Sequence, residues 1–395
     1  MPGDEKMTVD ERRRYLQRMH GRYWAQDRQG RSRLLDEMAQ YTGLHRKSLI
    51  RLLRGETVKR QPRKGTRGRT YGAEVEYVVR VVWETLDYVC AERLTAGLLE
   101  TARHLSRFGE LTLTPEVEGK LACISCSTIE RMIRRLPRRN WRLPRAGPEQ
   151  ANRLRAGVPM ERLAWSLTEP GHFEVDLVHH SGESAAGDYV HTLQMVDVAT
   201  GWSERVALLG RSQYAVEGAF RRARERLPFS IKGLHPDNGS EFFNNHLVRI
   251  WGEEITGLRL TRSRPYHKND NRFVEQKNDS LVRAYLGNYR LDTAEQTERL
   301  NALYDRMWVY YNLFQPVFRL VDKQIVDGRL RRRWDTPATP FQRLCATGAI
   351  RPADRKRLEA VIAETNPRAL RRDIYSRLEH LWDEPVDARV YRRSA

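Results

Sequence analysis

The sequence predicts a multidomain chain of mixed α and α/β class: helix-turn-helix modules on the N-terminal side, an α/β core, and a helical C-terminal region. Three observations lead there. Between His172 and Leu286, short apolar runs with period-two alternation, turn residues and helical stretches follow one another in the order βββαβαβα. Upstream of them, apolar residues recur at helical spacing. Finally, 70 Lys and Arg stand against 51 Asp and Glu, a formal charge of +19 that implies a polyanionic partner, for which nucleic acid is the natural candidate.

A length of 395 residues suggests about two to four domains. Residues 1–58 read as a first helix-turn-helix module. Thr8 and Glu11 form a capping box for a helix from about Val9 to Arg28, with Tyr15, Leu16, Met19 and Tyr23 on one face. Leu34, Leu35, Met38 and Ala39 mark a second helix, and Gly43 a turn. The next helix would present His45, Arg46, Lys47, Ser48 and Arg51 to a major groove. Residues 59–72 are a basic linker in which Lys59, Arg60, Arg63, Lys64, Arg67 and Arg69 suit a phosphate backbone or a minor groove. Residues 73–137 read as a second module: Val75, Val78, Val79, Val82 and Leu86 form an apolar stripe. Ser125 leads into a helix whose Ser127, Thr128, Arg131 and Arg135 face a second DNA segment.

A basic connector, 138–164, leads into the core, 165–290. There His172 to Val178 alternates Phe173, Val175 and Leu177 with Glu174, Asp176 and Val178, so Asp176 belongs to a strand and points away from the apolar face. An acid in an apolar strand carries a desolvation cost unless something pairs with it. A three-strand meander continues through Tyr189–Asp197 and Trp202–Leu209. Then come a helix from Ser212 to Leu227, strand Ile231–Leu234, helix Glu241–Trp251 and strand Leu258–Thr261. Asp237 stands in a Pro-Asp-Asn-Gly turn at a strand end, and Glu275 near the first turn of a helix, with 37 residues between them. The other core acids, Glu174, Asp188, Asp197, Glu204 and Glu241, serve as controls. Asp197 shapes the turn before Trp202, and Glu241 favours its helix N-terminus. The C-terminal region, 291–395, reads as helical, with a helix from Ala294 to Tyr311, a basic run Arg331–Arg333, and two further helices divided at Asn366-Pro367.

The element order, together with DNGSEF around Asp237, RPYH at 264–267 and FVEQKN around Glu275, resembles the ribonuclease H-like DDE core of retroviral integrases and bacterial insertion-sequence transposases. The Asp237–Glu275 spacing is close to the family's. Lys268 and Arg272 depart from the small or cyclic residues common at those positions, which bears on the loop and not on the acids. The resemblance implies that Asp176, Asp237 and Glu275 are catalytic and hold two Mg²⁺ ions, with Mn²⁺ as a substitute, Asp176 bridging them; Lys268 would contact DNA. It further implies a transposase that binds the terminal inverted repeats of a mobile element through both modules. Such an enzyme frees 3′-OH ends by hydrolysis and joins them to target DNA by transesterification, with no covalent enzyme intermediate. The partners would be double-stranded DNA and a second copy of the chain in a dimer or larger synaptic complex. The rivals are a non-catalytic, sequence-specific DNA-binding regulator and a structure-directed nuclease on the same fold.

Four cysteines, Cys90, Cys123, Cys126 and Cys345, fit a reduced compartment. The Cys123/Cys126 pair lacks two further ligands at zinc spacing, so no structural zinc is expected and bacterial relatives are favoured. Without a long apolar run or signal region, the expected location is the bacterial cytoplasm, with the nucleoid, and no membrane partner is expected.

Overall fold

The computed structural model describes residues 7–54, 70–137, 167–236, 251, 255–261, 271–326 and 329–382. The helix expected at 241–251, apart from Trp251, and most of both basic linkers lie outside them. The chain divides into two compact units, 1–70 and 71–395.

The first unit is a three-helix module of α1 (Val9–Trp24), α2 (Arg28–Thr42) and α3 (Arg46–Leu53). Thr8 and Glu11 form the expected capping box. The first helix ends earlier than expected, at Trp24, because the Asp27 side chain accepts from Gly30 N at 2.8 Å and starts a new helix. Gly43, at φ 66°, closes α2 in the left-handed conformation that a helix C-terminus favours. Leu16, Met19, Leu35, Met38, Leu49 and Leu53 bury together between the three helices.

The second unit begins with four helices, α4 (Ala73–Thr85), α5 (Ala91–Arg107), α6 (Pro115–Cys123) and α7 (Cys126–Ile133), around Val79, Trp83, Leu94, Leu98 and Ile129. A five-stranded sheet follows, built from β1 (His172–His179), β2 (Val190–Asp197), β3 (Ser203–Leu209), β4 (Gly233–Pro236) and β5 (Arg259–Leu260) in the order β3-β2-β1-β4-β5. The first three strands are antiparallel, while β4 and β5 run parallel to β1. Strand β4 lies two residues later than expected, since Lys232 N and Gly233 N both donate to Gly171 O and pairing begins at His172 opposite Gly233. The Asp197 carboxylate accepts from Gly171 N, Thr200 N and Thr200 Oγ1, and so shapes the turn before Trp202 as expected.

Helix α8 (Gln213–Glu225) packs against one sheet face, where Phe173, Val175, Leu177, Trp202, Val206 and Phe220 form the largest core. The other face is covered by α9 (Arg272–Lys277), its π-helical continuation Asn278–Arg283, a last turn Ala284–Leu286, and α10 (Ala294–Val309). The C-terminal region is not wholly helical. Strands β6 (Leu320–Val326) and β7 (Arg329–Trp334) form an antiparallel hairpin before α11 (Pro340–Thr347), α12 (Pro352–Glu364) and α13 (Pro367–Glu379). The missed signal is local: Asp327-Gly328 separates the two strands in sequence, a dipeptide favoured in tight hairpins.

Helices α4–α7 share one compact unit with the sheet, and polar contacts tie them to it. A helix end leaves carbonyls without partners; at the end of α4 they are met by Tyr310 OH, which donates to Thr85 O at 2.6 Å, and by Gln315 Nε2, which donates to Leu86 O at 2.8 Å. Asp87 follows in the left-handed region at φ 58° and is fully buried. Its carboxylate accepts from Tyr285 OH, Tyr375 OH and the Arg371 guanidinium, so that three elements meet on one acid. Replacing Asp87 by Ala strands the Arg371 charge and costs about 3–5 kcal/mol. Asp87→Asn, which tolerates positive φ and keeps an acceptor, costs less. Urea midpoints of the full chain check this order, and equal midpoints for both variants contradict it.

Candidate functional site

Strand β1 sets the site. Its register places Asp176 opposite Gln194 on β2, and Gln194 opposite Arg205 on β3, so these three side chains share the face covered by α9 and α10. Glu174, in the preceding row of that face, is completely buried. One of its oxygens accepts from Phe273 N at 2.7 Å and Val274 N at 2.9 Å. These are amide groups of the first turn of α9, which no intrahelical carbonyl can reach. Glu174 therefore caps the helix from another element.

Asp176 is half-buried, and Asn278 Nδ2 donates to its Oδ2 at 2.5 Å. Glu275 is exposed and lies three residues before Asn278, the spacing of neighbours along a helix. Two same-face acids of β1 thus grip α9 at both ends, one at its first turn and one just beyond Lys277. Asp176 and Glu275 come from elements held to each other by these bonds. Among the described residues the β1–β4 pairing runs from His172 opposite Gly233 to Val175 opposite Pro236. Asp237 itself lies outside the described residues, as do Lys268 and the linker group Lys59, Arg60, Arg63, Lys64, Arg67 and Arg69. Among the described residues, no group of three or more His, Cys, Asp and Glu side chains is placed to hold a metal ion.

Further buried polar groups stand on this face among Val178, Val190 and Ala207. Gln194 Nε2 donates to Ser203 Oγ at 2.6 Å. Thr192 Oγ1 meets His180 Nε2 at 2.8 Å and Tyr304 OH at 2.6 Å. Burial, with His191 and His179 nearby, pushes His180 down to about 3, so it is neutral at physiological pH. Arg205 is fully buried with its guanidinium 5.8 Å from the Tyr304 and Tyr311 ring centroids, and burial lowers its pKa. Burial likewise raises Glu174 to about 8, against the opposing pull of the Val274 amide and the Arg272 charge.

Sequence reading passed over Glu174 as a control and did not consider Asn278 or Arg205. Alternation alone puts Glu174 on the Asp176 face, and the three-residue step from Glu275 points to Asn278. Nothing local marks Arg205, because its ring partners are Tyr304 on α10 and Tyr311 in the π-helical turn Tyr310–Phe314 that follows it.

The two helix-turn-helix candidates differ in how far their side chains are free. On α3, Lys47 and Arg51 are exposed, and His45 caps the helix by accepting from Lys47 N. Arg46 pairs with Asp36 and donates to Ser32, while Ser48 is half-buried. On α7, Ser127 and Arg131 are exposed, as is Arg135 just after it, whereas Thr128 is half-buried and accepts from Arg131 Nη2 at 3.1 Å. No helix among the described residues is long and apolar enough to cross a membrane.

No family model matches the chain. An uncharacterized protein of Sinorhizobium fredii, y4rM, is 38% identical over 325 residues, which span 82% of this chain and 91% of that protein. Among solved structures, the catalytic core domain of BIV integrase is a slight likeness: 14% identity and a TM-score of 0.30, covering 45% of this chain and 95% of that domain.

The raised Glu174 acid makes stability fall with pH. Its folded value of about 8 exceeds the ordinary 4.5, so the folded chain binds more protons between these limits. The contribution is full below pH 4.5 and is lost as pH rises through about 8. Glu174→Gln keeps an acceptor for both amides and removes this slope. Urea midpoints between about pH 5 and 8, in chelator, should decline more steeply for the parent; parallel curves refute the assignment.

Proposed function

The chain belongs to the same family as y4rM, and we propose that it is a metal-dependent transposase of the DDE type, acting on double-stranded DNA. The observation that carries this reading is the grip of β1 on the helix of Glu275. Asp176 rises from the strand under Asn278, and Glu174, two residues earlier on β1, caps the same helix.

The donor set suits a hard divalent cation: carboxylate oxygens, with Asp176 half-buried and Glu275 exposed, leave room for water and phosphate in the coordination shell. Asp176, Asp237 and Glu275 would hold two Mg²⁺ ions, which when bound make the attacking oxygen a better nucleophile and stabilise the leaving one. The chain's own work is positional. Asn278 restrains the Asp176 carboxylate, and Glu174 fixes the start of the helix that presents Glu275. In this reading water attacks first and frees a 3′-OH, and that hydroxyl then attacks target DNA. One phosphodiester bond breaks as another forms, and no protein side chain is acylated or phosphorylated. Exposed Lys47 and Arg51 on α3, Ser127 and Arg131 on α7, and Arg135 just after α7 would contact the element ends. Joining two ends requires a second copy of the chain.

Strand transfer tests this with purified protein, Mg²⁺ or Mn²⁺, and labelled DNA from both flanks of the gene. Asp176→Asn, Asp237→Asn and Glu275→Gln should each lower joining by about 1,000-fold, equivalent to about 4 kcal/mol in the barrier, and leave end binding intact. Chelation should do the same. Undiminished joining by Asp237→Asn would sink the reading. Specific binding without cleavage in the parent would favour a regulator.

A further inference from the structure

Strands β6 and β7 pair with each other and with no other strand among the described residues. The register sets Arg333 opposite Asp322 and Arg331 opposite Gln324. Alternation therefore puts Arg331 and Arg333 on one face of the ribbon and Arg332 on the other, beside Trp334. All four side chains are exposed, and none of the three guanidinium groups has an ion-pair partner among the described residues. A two-stranded hairpin is marginal on its own and normally hides one face. This one leaves Arg331 to Trp334 exposed on both faces and buries Leu320 opposite Trp334.

Its root, by contrast, is fixed. Arg319 N donates to Asp335 Oδ1 at 2.8 Å, and Asp335 N returns a bond to Arg319 O at 3.0 Å. The Arg343 guanidinium pairs with the Asp335 carboxylate and donates to Val317 O at 2.8 Å. Arg319 Nη1 donates to Ala199 O at 2.9 Å, in the turn between β2 and β3. The ribbon is thus clamped to the sheet that carries Asp176, while its cationic stretch faces solvent.

Such an element suits a partner that is anionic on two sides. The major groove of B-DNA, about 12 Å wide, admits a two-stranded ribbon and has phosphates along both walls. We propose that the β6–β7 ribbon is a contact arm for duplex DNA, with Arg331 and Arg333 turned to one phosphate wall and Arg332 to the other. Arginine contacts to phosphate read no sequence, so the arm suits target DNA better than the element's ends; that assignment to target rests on the transposase reading, whereas duplex binding does not.

The test uses the full chain carrying Arg331→Gln, Arg332→Gln and Arg333→Gln together, and a random-sequence duplex of about 30 base pairs. Fluorescence anisotropy between about 50 and 200 mM salt yields the slope of log affinity on log salt. The slope should become shallower by about 2–3, since each lost phosphate contact removes about 0.9. Affinity at low salt should fall at least about tenfold, while the thermal midpoint stays unchanged. The triple Arg→Lys variant should keep the parental slope. An unchanged slope and affinity in the Gln variant would overturn the proposal. So would an equal or larger loss on a single strand of the same length. Strand transfer by the parent is scored separately: a slope change without joining leaves the arm standing and removes the transposase reading, while joining with an unchanged slope does the reverse.

Discussion

The capping of one helix by a carboxylate from a neighbouring strand governs the candidate site. Without Glu174, the first turn of α9 would have two amides buried without partners, a cost of about 1–3 kcal/mol each. With it, the helix that carries Glu275 has a fixed start on β1. The Asp176–Asn278 bond fixes a second point where the helix turns from α to π geometry. A segment tied at two points has little freedom to slide or roll, which is what a pair of carboxylates needs to hold a constant separation. π segments of this kind are often found at functional positions, since the extra residue re-aims the side chains around it.

The same logic extends to the helical module at 73–137. Its helix α4 ends in carbonyls that Tyr310 and Gln315 satisfy, and Asp87 gathers Tyr285 from the turn after the α9 continuation, together with Arg371 and Tyr375 from α13. Arg368 adds an ion pair to Glu84 at 3.3 Å, and His104 Nε2 meets Thr365 O at 2.9 Å. Buried pairs of this kind add little net stability, but removing one partner is expensive. They fix relative orientation, and so hold α7, with its exposed arginines, in a set relation to the strand of Asp176.

How far the sequence disclosed this follows from the range of the interactions involved. Local signals were reliable: the capping box at Thr8, the Gly43 turn, the alternation of Phe173, Val175 and Leu177, and the break at Asn366-Pro367 all act within a few residues. The Glu174 contacts span about 100 residues and the Arg371–Asp87 pair 284, and no periodicity reports a partner that far away. The β6–β7 hairpin was a different failure. Arg331–Arg333 stood out as charge, and the run hid the alternation that marks a strand, because in a ribbon exposed on both sides there is no apolar face to alternate with. Of the site itself, alternation gave the side on which Asp176 lies, but not the neighbour that restrains it.

The two faces of the sheet differ in how polar their buried side chains are. The α8 face buries Phe173, Val175, Trp202, Val206 and Phe220 with their neighbours, each large side chain contributing about 1.5–3 kcal/mol on full burial. The opposite face buries Glu174, Gln194, Thr192 and Arg205 among Val178, Val190 and Ala207. Removing a charge such as Arg205 from water costs several kcal/mol after relaxation. The Tyr304 and Tyr311 rings return about 2 kcal/mol each when desolvated, and the attraction of Glu204 adds to this. Apolar packing on the same face, among Val178, Val190, Ala207, Leu300, Leu303 and Met307, offsets the remaining cost. The polar side chains of this face are thus set within apolar packing, and it is there, across from the α8 core, that Asp176 and the helix of Glu275 meet.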